Sequence, residues 1–364
     1  MVPERFTVMR FISHGTYSVV YEIAYSERGG RVSTSRWALK RIYLQNESAV
    51  RCALREHNVL VKLARSEHQS PFLCTLLRSF LLRGGPAFVL RKGSDINLRD
   101  LIKCVGFLRE EAARFYSCEV ICGLEHLHAM RIVHLDIKPS NVLLDDSGHV
   151  FITDFDRAYD MAPEKGPPRW TDFTGTPFFM APEVRDRIEI TTRADVWSLG
   201  LLIASMLYKR STISDWLRTG PSWREVLPNA SIPLRSLFDS CLKCNYGRRV
   251  DICGVKRLRF YKDIKWEEVM TCNMAPPYYP SQLSNFVVRD VSKLNPYDSL
   301  LLAAAHHKCK PLIDKRLQDF YDRNGVRRLK EVSTNRRGML RAGLTAKRMN
   351  ELFANFEFTN PHLL

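Results

Sequence analysis

The sequence predicts an α+β protein: a small antiparallel sheet near the N-terminus, a helix beside it, and a larger, mainly helical remainder. Three observations carry this. The first 45 residues alternate in the manner of strands. Ser48 to Ala64 and Glu110 to His128 repeat apolar residues at helical spacing. Two short apolar runs, Val142-Leu143-Leu144 and Val150-Phe151-Ile152, flank the turn sequence Asp145-Asp146-Ser147-Gly148 and read as a hairpin.

Taken in order, Phe6 to Ile12 and Val19 to Ile23 form two strands around Ser13-His14-Gly15-Thr16-Tyr17-Ser18. Trp37 to Ile42 forms a third after Gly29-Gly30. In the first helix Val50, Leu54, Val59, Leu60 and Leu63 make an apolar face. Pro71 to Phe80 and Pro86 to Leu90 read as two further strands completing the sheet, and Arg91-Lys92-Gly93 as a hinge. Asn97 to Ile102 begins a helical region; the longer helix from Glu110 carries Ala113, Tyr116, Val120, Leu124 and Leu127 on one side. Asp195-Val196-Trp197-Ser198-Leu199-Gly200 opens an apolar helix that runs through Leu207.

With 364 residues, 45% hydrophobic and 26% charged, the chain can bury a large core as one two-lobed domain or two domains. Lys plus Arg at 55 against Asp plus Glu at 39 leaves a net charge of +16, which favours acidic partners. Ten cysteines lie scattered without framework spacing and without a secretory leader, so they read as reduced thiols of an intracellular protein, cytoplasmic or nuclear. Cys241-x-x-Cys244 lacks the second pair that a zinc site needs. No apolar run approaches the roughly 18 residues of a spanning helix.

The chemistry gathers in His134-Leu135-Asp136-Ile137-Lys138-Pro139-Ser140-Asn141 and in Thr153-Asp154-Phe155. Asp136 can accept a proton from an attacking hydroxyl, and Lys138 can neutralise charge on a transferring phosphoryl group. Asn141 and Asp154 offer oxygen ligands to Mg²⁺. These motifs resemble the catalytic and metal-binding loops of eukaryotic protein kinases, as Gly175 to Glu183 resembles the segment that ends in A-P-E.

The resemblance implies a bilobal protein kinase fold. Its small antiparallel N-lobe with the αC helix would span 1–92, the larger helical C-lobe 93–265, and a C-terminal tail 266–364. It implies ATP and Mg²⁺ as cofactors and Ser/Thr hydroxyls of proteins as acceptors, because Lys138 follows the base by two residues. The implied catalytic set is Asp136, Lys138, Lys40 and Glu56, with Glu56 in the helix as partner of Lys40 and Glu47 and Glu67 as rivals outside its middle. The implied nucleotide-binding set is Ile12, Ser13, His14, Gly15, Thr16, Tyr17, Ser18, Val20, Ala38, Lys40, Leu90, Lys92 and Leu143. The metal ligands are Asn141 and Asp154. Asp195 would hold the catalytic-loop backbone, and Glu183 would pair with Arg249.

Pro71 to Phe80, Ile264 to Val269 and Ala275 to Pro280 narrow the resemblance to the AGC group of kinases. Phe353-Ala354-Asn355-Phe356-Glu357-Phe358-Thr359-Asn360-Pro361 resembles the hydrophobic motif of atypical protein kinase C; in the AGC group two Phe rings dock on the small lobe. Between them Arg323, Arg327, Arg328, Lys330, Arg336, Arg337, Arg341, Lys347 and Arg348 make a basic tail, a solvated linker or a surface for an acidic partner or anionic lipid. No nucleic-acid-binding motif accompanies it.

The departures are specific. Asp156 stands where the metal loop carries Gly, and Ser13 and Ser18 replace glycines of the phosphate loop. Leu135 replaces the Arg that holds an activation-loop phosphate in many kinases, while Asp172 and Glu357 put fixed charges at two phosphorylation positions. The sequence therefore predicts a kinase active without activation-loop phosphorylation. The alternative is a pseudokinase that acts as a nucleotide-binding or scaffolding module. Positions that select Arg-rich substrates align with Asn97, Ser140 and Ser205, none of them acidic.

Overall fold

Side-chain alternation shapes the first unit of this computed structural model, which describes residues 6–26, 32–44, 46–82, 85–162, 166–219, 230–283 and 344–362. β1 (Phe6–His14), β2 (Ser18–Ser26) and β3 (Val32–Ile42) form an antiparallel meander continued by β5 (Gly85–Arg91) and β4 (Leu76–Leu82). A sixth strand, β10 (Phe358–Thr359), arrives from the C-terminal tail and completes the order β1-β2-β3-β5-β4-β10. Val19, Tyr21, Ile23, Leu39, Ala87 and Val89 share one face as a buried apolar cluster. The residues between them turn the other way: Val20 pairs with Lys40, and Ala38 with Leu90.

α1 (Glu47–Ala64) begins one residue before the predicted start. Asn46 caps it by accepting from the Ala49 amide at 3.0 Å, and Glu47 sits where the helix dipole favours a carboxylate. Its inner face buries Val50, Val59, Leu60 and Leu63, together with Glu56 and His57. A carboxylate buried on an apolar face needs a partner.

The second unit comprises Ser66–Cys74 and Gly93–Val288. Its centre is α3 (Glu110–Ala129), which buries the five predicted residues and also Cys118, Ile121 and Cys122 from round the helix. Gly123 lets other chains approach α3 closely: a Cβ there would lie 3.0 Å from both the Phe72 carbonyl oxygen and Ile152 Cδ1. Two small ribbons, β6 (Ile132–Val133) with β9 (Tyr159–Asp160) and β7 (Val142–Leu144) with β8 (Val150–Ile152), carry the loops of interest. Around them lie α2 (Leu98–Val105), α4 (Pro182–Arg185), α5 (Arg193–Leu207) and α6 (Arg210–Thr219). α7 (Ile232–Cys241), α8 (Ile252–Lys256), α9 (Trp266–Met270) and α10 (Pro280–Leu283) come after. In the first unit, α11 (Ala346–Leu352) precedes β10.

Two boundaries differ from those read in the sequence. The predicted strand from Pro71 to Phe80 is divided, because its first half has a different partner. The Ile152 amide donates to the Phe72 carbonyl and the Cys74 amide to the Ile152 carbonyl, both at 2.8 Å, whereas β4 starts at Leu76. Within the predicted tail, α9 stays with the second unit: its Trp266 ring lies 5.8 Å from Tyr261, with Lys256 Nζ 4.6 Å above it. Of the predicted tail, residues 344–362 are the described part that joins the first unit. The basic positions from Arg323 to Arg341 lie outside the described residues. Every described cysteine is unbridged, and among the described residues no helix is long and apolar enough to cross a membrane.

Candidate active site

α3 hands the chain through β6 to His134, and a buried carboxylate fixes the loop that begins there. Asp195, at the start of α5, accepts from the amides of His134 and Leu135, both at 2.8 Å. His128 Nε2 lies 2.9 Å from the same carboxylate, a contact with no motif signal in the sequence. Leu135 is held at φ 62°, a left-handed conformation that costs a branched residue about 1–3 kcal/mol and needs such anchoring. His134 Nδ1 accepts from the Asp136 amide at 3.2 Å, so Nε2 carries the hydrogen donated to the Thr153 carbonyl at 3.1 Å. One imidazole thereby ties the catalytic loop to the Asp154 loop.

Asp136 is buried and surrounded by donors. Its Oδ1 accepts from the Thr176 amide at 2.8 Å and the Thr176 hydroxyl at 2.6 Å. Its Oδ2 accepts from Lys138 Nζ at 2.6 Å and Asn141 Nδ2 at 3.1 Å. Lys138 also donates to Thr176 Oγ1 at 2.7 Å. Thr176 lies within the segment that ends in A-P-E, but nothing in that motif marks it as a partner of Asp136. Gly175 makes its placement feasible: at φ 152° a Cβ would stand 2.6 Å from the Leu135 carbonyl oxygen.

Asn141 spends both contacts of Nδ2 on Asp136, the second to its carbonyl at 3.0 Å. Its Oδ1 accepts no hydrogen bond among the described residues and remains an oxygen ligand suited to a hard cation. Asp154 adopts φ 69°, ψ 74°, the left-handed region that Asp tolerates better than most residues. These donors fit Mg²⁺ chemistry. Asp156 sits in the right-handed turn Phe155–Arg157 with its carboxylate 3.5 Å from Arg157 Nε. Asp156 has no positive φ, so the backbone at this position asks for no glycine.

In the first unit, Lys40 Nζ donates to Glu56 Oε1 at 2.7 Å, the pairing read from the sequence over Glu47 and Glu67. Both are buried, and Glu47 instead pairs with Arg51. Val20, Ala38, Lys40 and Leu90 share one sheet face. Ile12, Ser13 and His14 end β1, Ser18 begins β2, and Gly15, Thr16 and Tyr17 turn between them with Gly15 N donating to the Ser18 carbonyl at 2.8 Å. Neither Ser13 nor Ser18 has positive φ, so serine is accommodated where related loops carry glycine. Lys92 lies 3.7 Å from Glu22, a residue with no motif signal in the sequence. Leu143, on β7, belongs to the second unit.

The tail packs on the first unit. Phe356 is 1% exposed; its ring stacks on His57 at 4.2 Å and meets Phe88 at 5.4 Å and Phe353 at 5.3 Å. Ser79 Oγ donates to the Phe356 carbonyl at 2.8 Å and lies 3.1 Å from His57 Nε2. Asn360 Nδ2 donates to the Leu76 carbonyl at 2.8 Å. Phe356→Ala is expected to cost about 3–5 kcal/mol, a lower denaturant midpoint, and an unchanged midpoint would refute it. Burial holds His57 below the usual 6.5. The unfolded chain binds a proton that the buried ring resists, so the contribution of His57 to the stability of the first unit is full above 6.5 and is lost as pH falls below that value.

A family model described as protein kinase domain matches residues 6–260, and the chain belongs to that family. Among similar proteins, ribosomal protein S6 kinase beta of Caenorhabditis elegans is 29% identical over 318 residues, covering 82% of this chain and 56% of that protein. Serine/threonine-protein kinase Sgk1 of Fundulus heteroclitus is 31% identical over 238 residues, covering 63% and 54%. The RAC family serine/threonine-protein kinase homolog of Dictyostelium discoideum is 27% identical over 300 residues, covering 80% and 65%. These relatives are AGC-group kinases, the branch that the motifs resemble. The chain spans about half the length of the first two.

Proposed function

We propose that this chain is a serine/threonine protein kinase, transferring the γ-phosphoryl group of MgATP to Ser or Thr hydroxyls of protein substrates. The observation that carries the reading is the cluster of Asp136, Lys138, Asn141 and Thr176. A carboxylate offers about four lone-pair sites, and four donors reach Asp136. An acceptor hydroxyl gains a place there when Lys138 leaves Asp136 for the charge of the phosphoryl group. Asp136 then takes the hydroxyl proton, and Lys138 stabilises the transferring group. Lys40, oriented by Glu56, would hold the α- and β-phosphates, and Asn141 with Asp154 would hold Mg²⁺. When bound, that ion neutralises charge on the phosphates.

Activity without activation-loop phosphorylation is part of the proposal. In support, the segment before Thr176 is tied down by neutral and fixed-charge groups. Arg157 Nη1 donates to Thr174 Oγ1 at 2.7 Å, and the Arg169 amide donates to Asp172 Oδ2 at 2.8 Å. Leu135 is buried where a phosphate-binding Arg would stand. The test is transfer from labelled MgATP to a Ser/Thr peptide library by phosphatase-treated protein and by a Thr171→Ala variant, with Thr174 kept because its hydroxyl holds Arg157. Both are expected to label peptides at the untreated rate. Loss of labelling in either would refute phosphate independence; MgATP binding without any transfer would favour the scaffolding alternative.

A further inference from the structure

Thr176 ties its segment to Asp136, and two residues on, the half-buried Phe178 ring carries the guanidinium of Arg210 at 4.4 Å from its centroid. The chain turns here, the Phe179 amide donating to the Thr176 carbonyl at 2.8 Å, and two residues span at most about 7 Å, so this stacked pair lies within a few substrate residues of an acceptor at Asp136. Arg210 is exposed, and among the described residues no carboxylate pairs with it. Stacking occupies the face of the guanidinium and leaves its in-plane N–H donors pointing outward. The surroundings add to the positive potential: Lys209 is exposed beside it, and α6 opens at Arg210 with no acid in its first turn. The acid of that helix, Asp215, is engaged by Arg218 at 3.1 Å. Side chains that could have drawn basic substrates are neutral and occupied. Asn97 caps α2 by accepting from the Asp100 amide at 3.0 Å, and Ser205 Oγ donates to the Leu201 carbonyl at 2.7 Å.

We infer that Arg210, preorganised on Phe178, determines substrate specificity by taking an anionic side chain a few residues from the acceptor Ser or Thr. This rests on the kinase reading above. The shared chemistry is a planar or tetrahedral oxyanion, supplied by Asp or Glu or by a phosphoserine already on the substrate. A second stacked guanidinium, Arg187 at 3.3 Å from the Trp170 ring, provides the control for diffuse charge.

The experiment places Asp, Glu, phosphoserine, Ala or Arg at each position flanking one acceptor Ser and measures kcat/KM relative to the Ala peptide. An anion at one position is expected to raise kcat/KM about tenfold, the worth of one charge-assisted hydrogen bond. Selection of phosphoserine alone identifies substrates phosphorylated beforehand; equal selection of Asp and Glu identifies acidic ones. Arg210→Ala should bring the ratio close to one, Arg210→Lys should keep part of it, and Arg187→Ala should leave it in place. No anion preference, a preference that survives Arg210→Ala, or equal loss in Arg187→Ala would overturn the inference. Melting curves accompany each variant. Should no peptide be labelled at all, the kinase reading fails separately. Fluorescence anisotropy of the anionic and Ala peptides, with and without Arg210→Ala, then decides the role of Arg210 by the same ratio.

Discussion

Asp136→Asn is expected to lower phosphoryl transfer by about 10²–10⁴-fold, the usual contribution of a positioned general base. The substitution removes more than basicity. Oδ1 of Asp136 faces the amide and hydroxyl of Thr176, and Oδ2 faces Lys138 and Asn141. Either orientation of an asparagine amide aims N–H groups at donors, a mismatch worth about 1–3 kcal/mol. The variant should therefore melt earlier than the parent while still binding MgATP, whose proposed contacts lie elsewhere. Transfer at the parental rate would remove Asp136 from the base role. Loss of nucleotide binding together with transfer would show that the loop had collapsed, and Asp136→Ala, which carries no misplaced donor, would then be the variant to read.

Arg249→Ala is expected to be strongly destabilising although it lies away from the catalytic loop. The Arg249 side chain is 0% exposed and Glu183 1% exposed, joined by two parallel bonds of 2.6 and 2.9 Å. The remaining donors reach the Lys243 and Arg193 carbonyls, and the guanidinium lies 5.1 Å from the Trp197 ring centroid. Removing the arginine leaves a carboxylate buried without its cation, which costs about 3–5 kcal/mol, or about 6–20 °C in melting temperature for a unit of this size. Pairing Arg249→Met with Glu183→Gln should recover part of the loss, because the stranded charge goes with it. A single variant that melts with the parent would mean that water reaches Glu183.

How much of the site and fold was legible in the sequence depended on whether the signal lay along the chain. Lys40 and Glu56 could be matched by the family resemblance together with the pattern, which puts Lys40 in a strand and Glu56 inside a helix. Glu183 and Arg249, and Asp195 with the catalytic loop, came from the family's motifs. Contacts across space left no such trace. Thr176 reaches Asp136 over 40 residues, and Asn360 reaches Leu76 over 284. No periodicity announces either, although Thr176 stands in the segment ending in A-P-E and Asn360 in the segment that resembles the hydrophobic motif. The divided strand from Pro71 to Phe80 failed for a related reason: strand-forming residues declare an extended backbone but not which neighbour it will pair with. At Asp156 the sequence marked a departure without showing its effect, because whether the position needs positive φ is set by the turn built there, and it does not.

The short strand near the C-terminus has a consequence for handling the protein. β4 would otherwise end the sheet, with its outward amides and carbonyls facing water; Phe358 and Thr359 pair with Ser79 and Arg78, and Asn360 closes on Leu76 and Leu77. An open sheet margin is a template on which other chains add. A fragment cut before the tail would bare that margin along with the apolar seat of Phe356, and would be sticky as well as weakened. Residues 344–362 thus serve as the sheet's own selvedge.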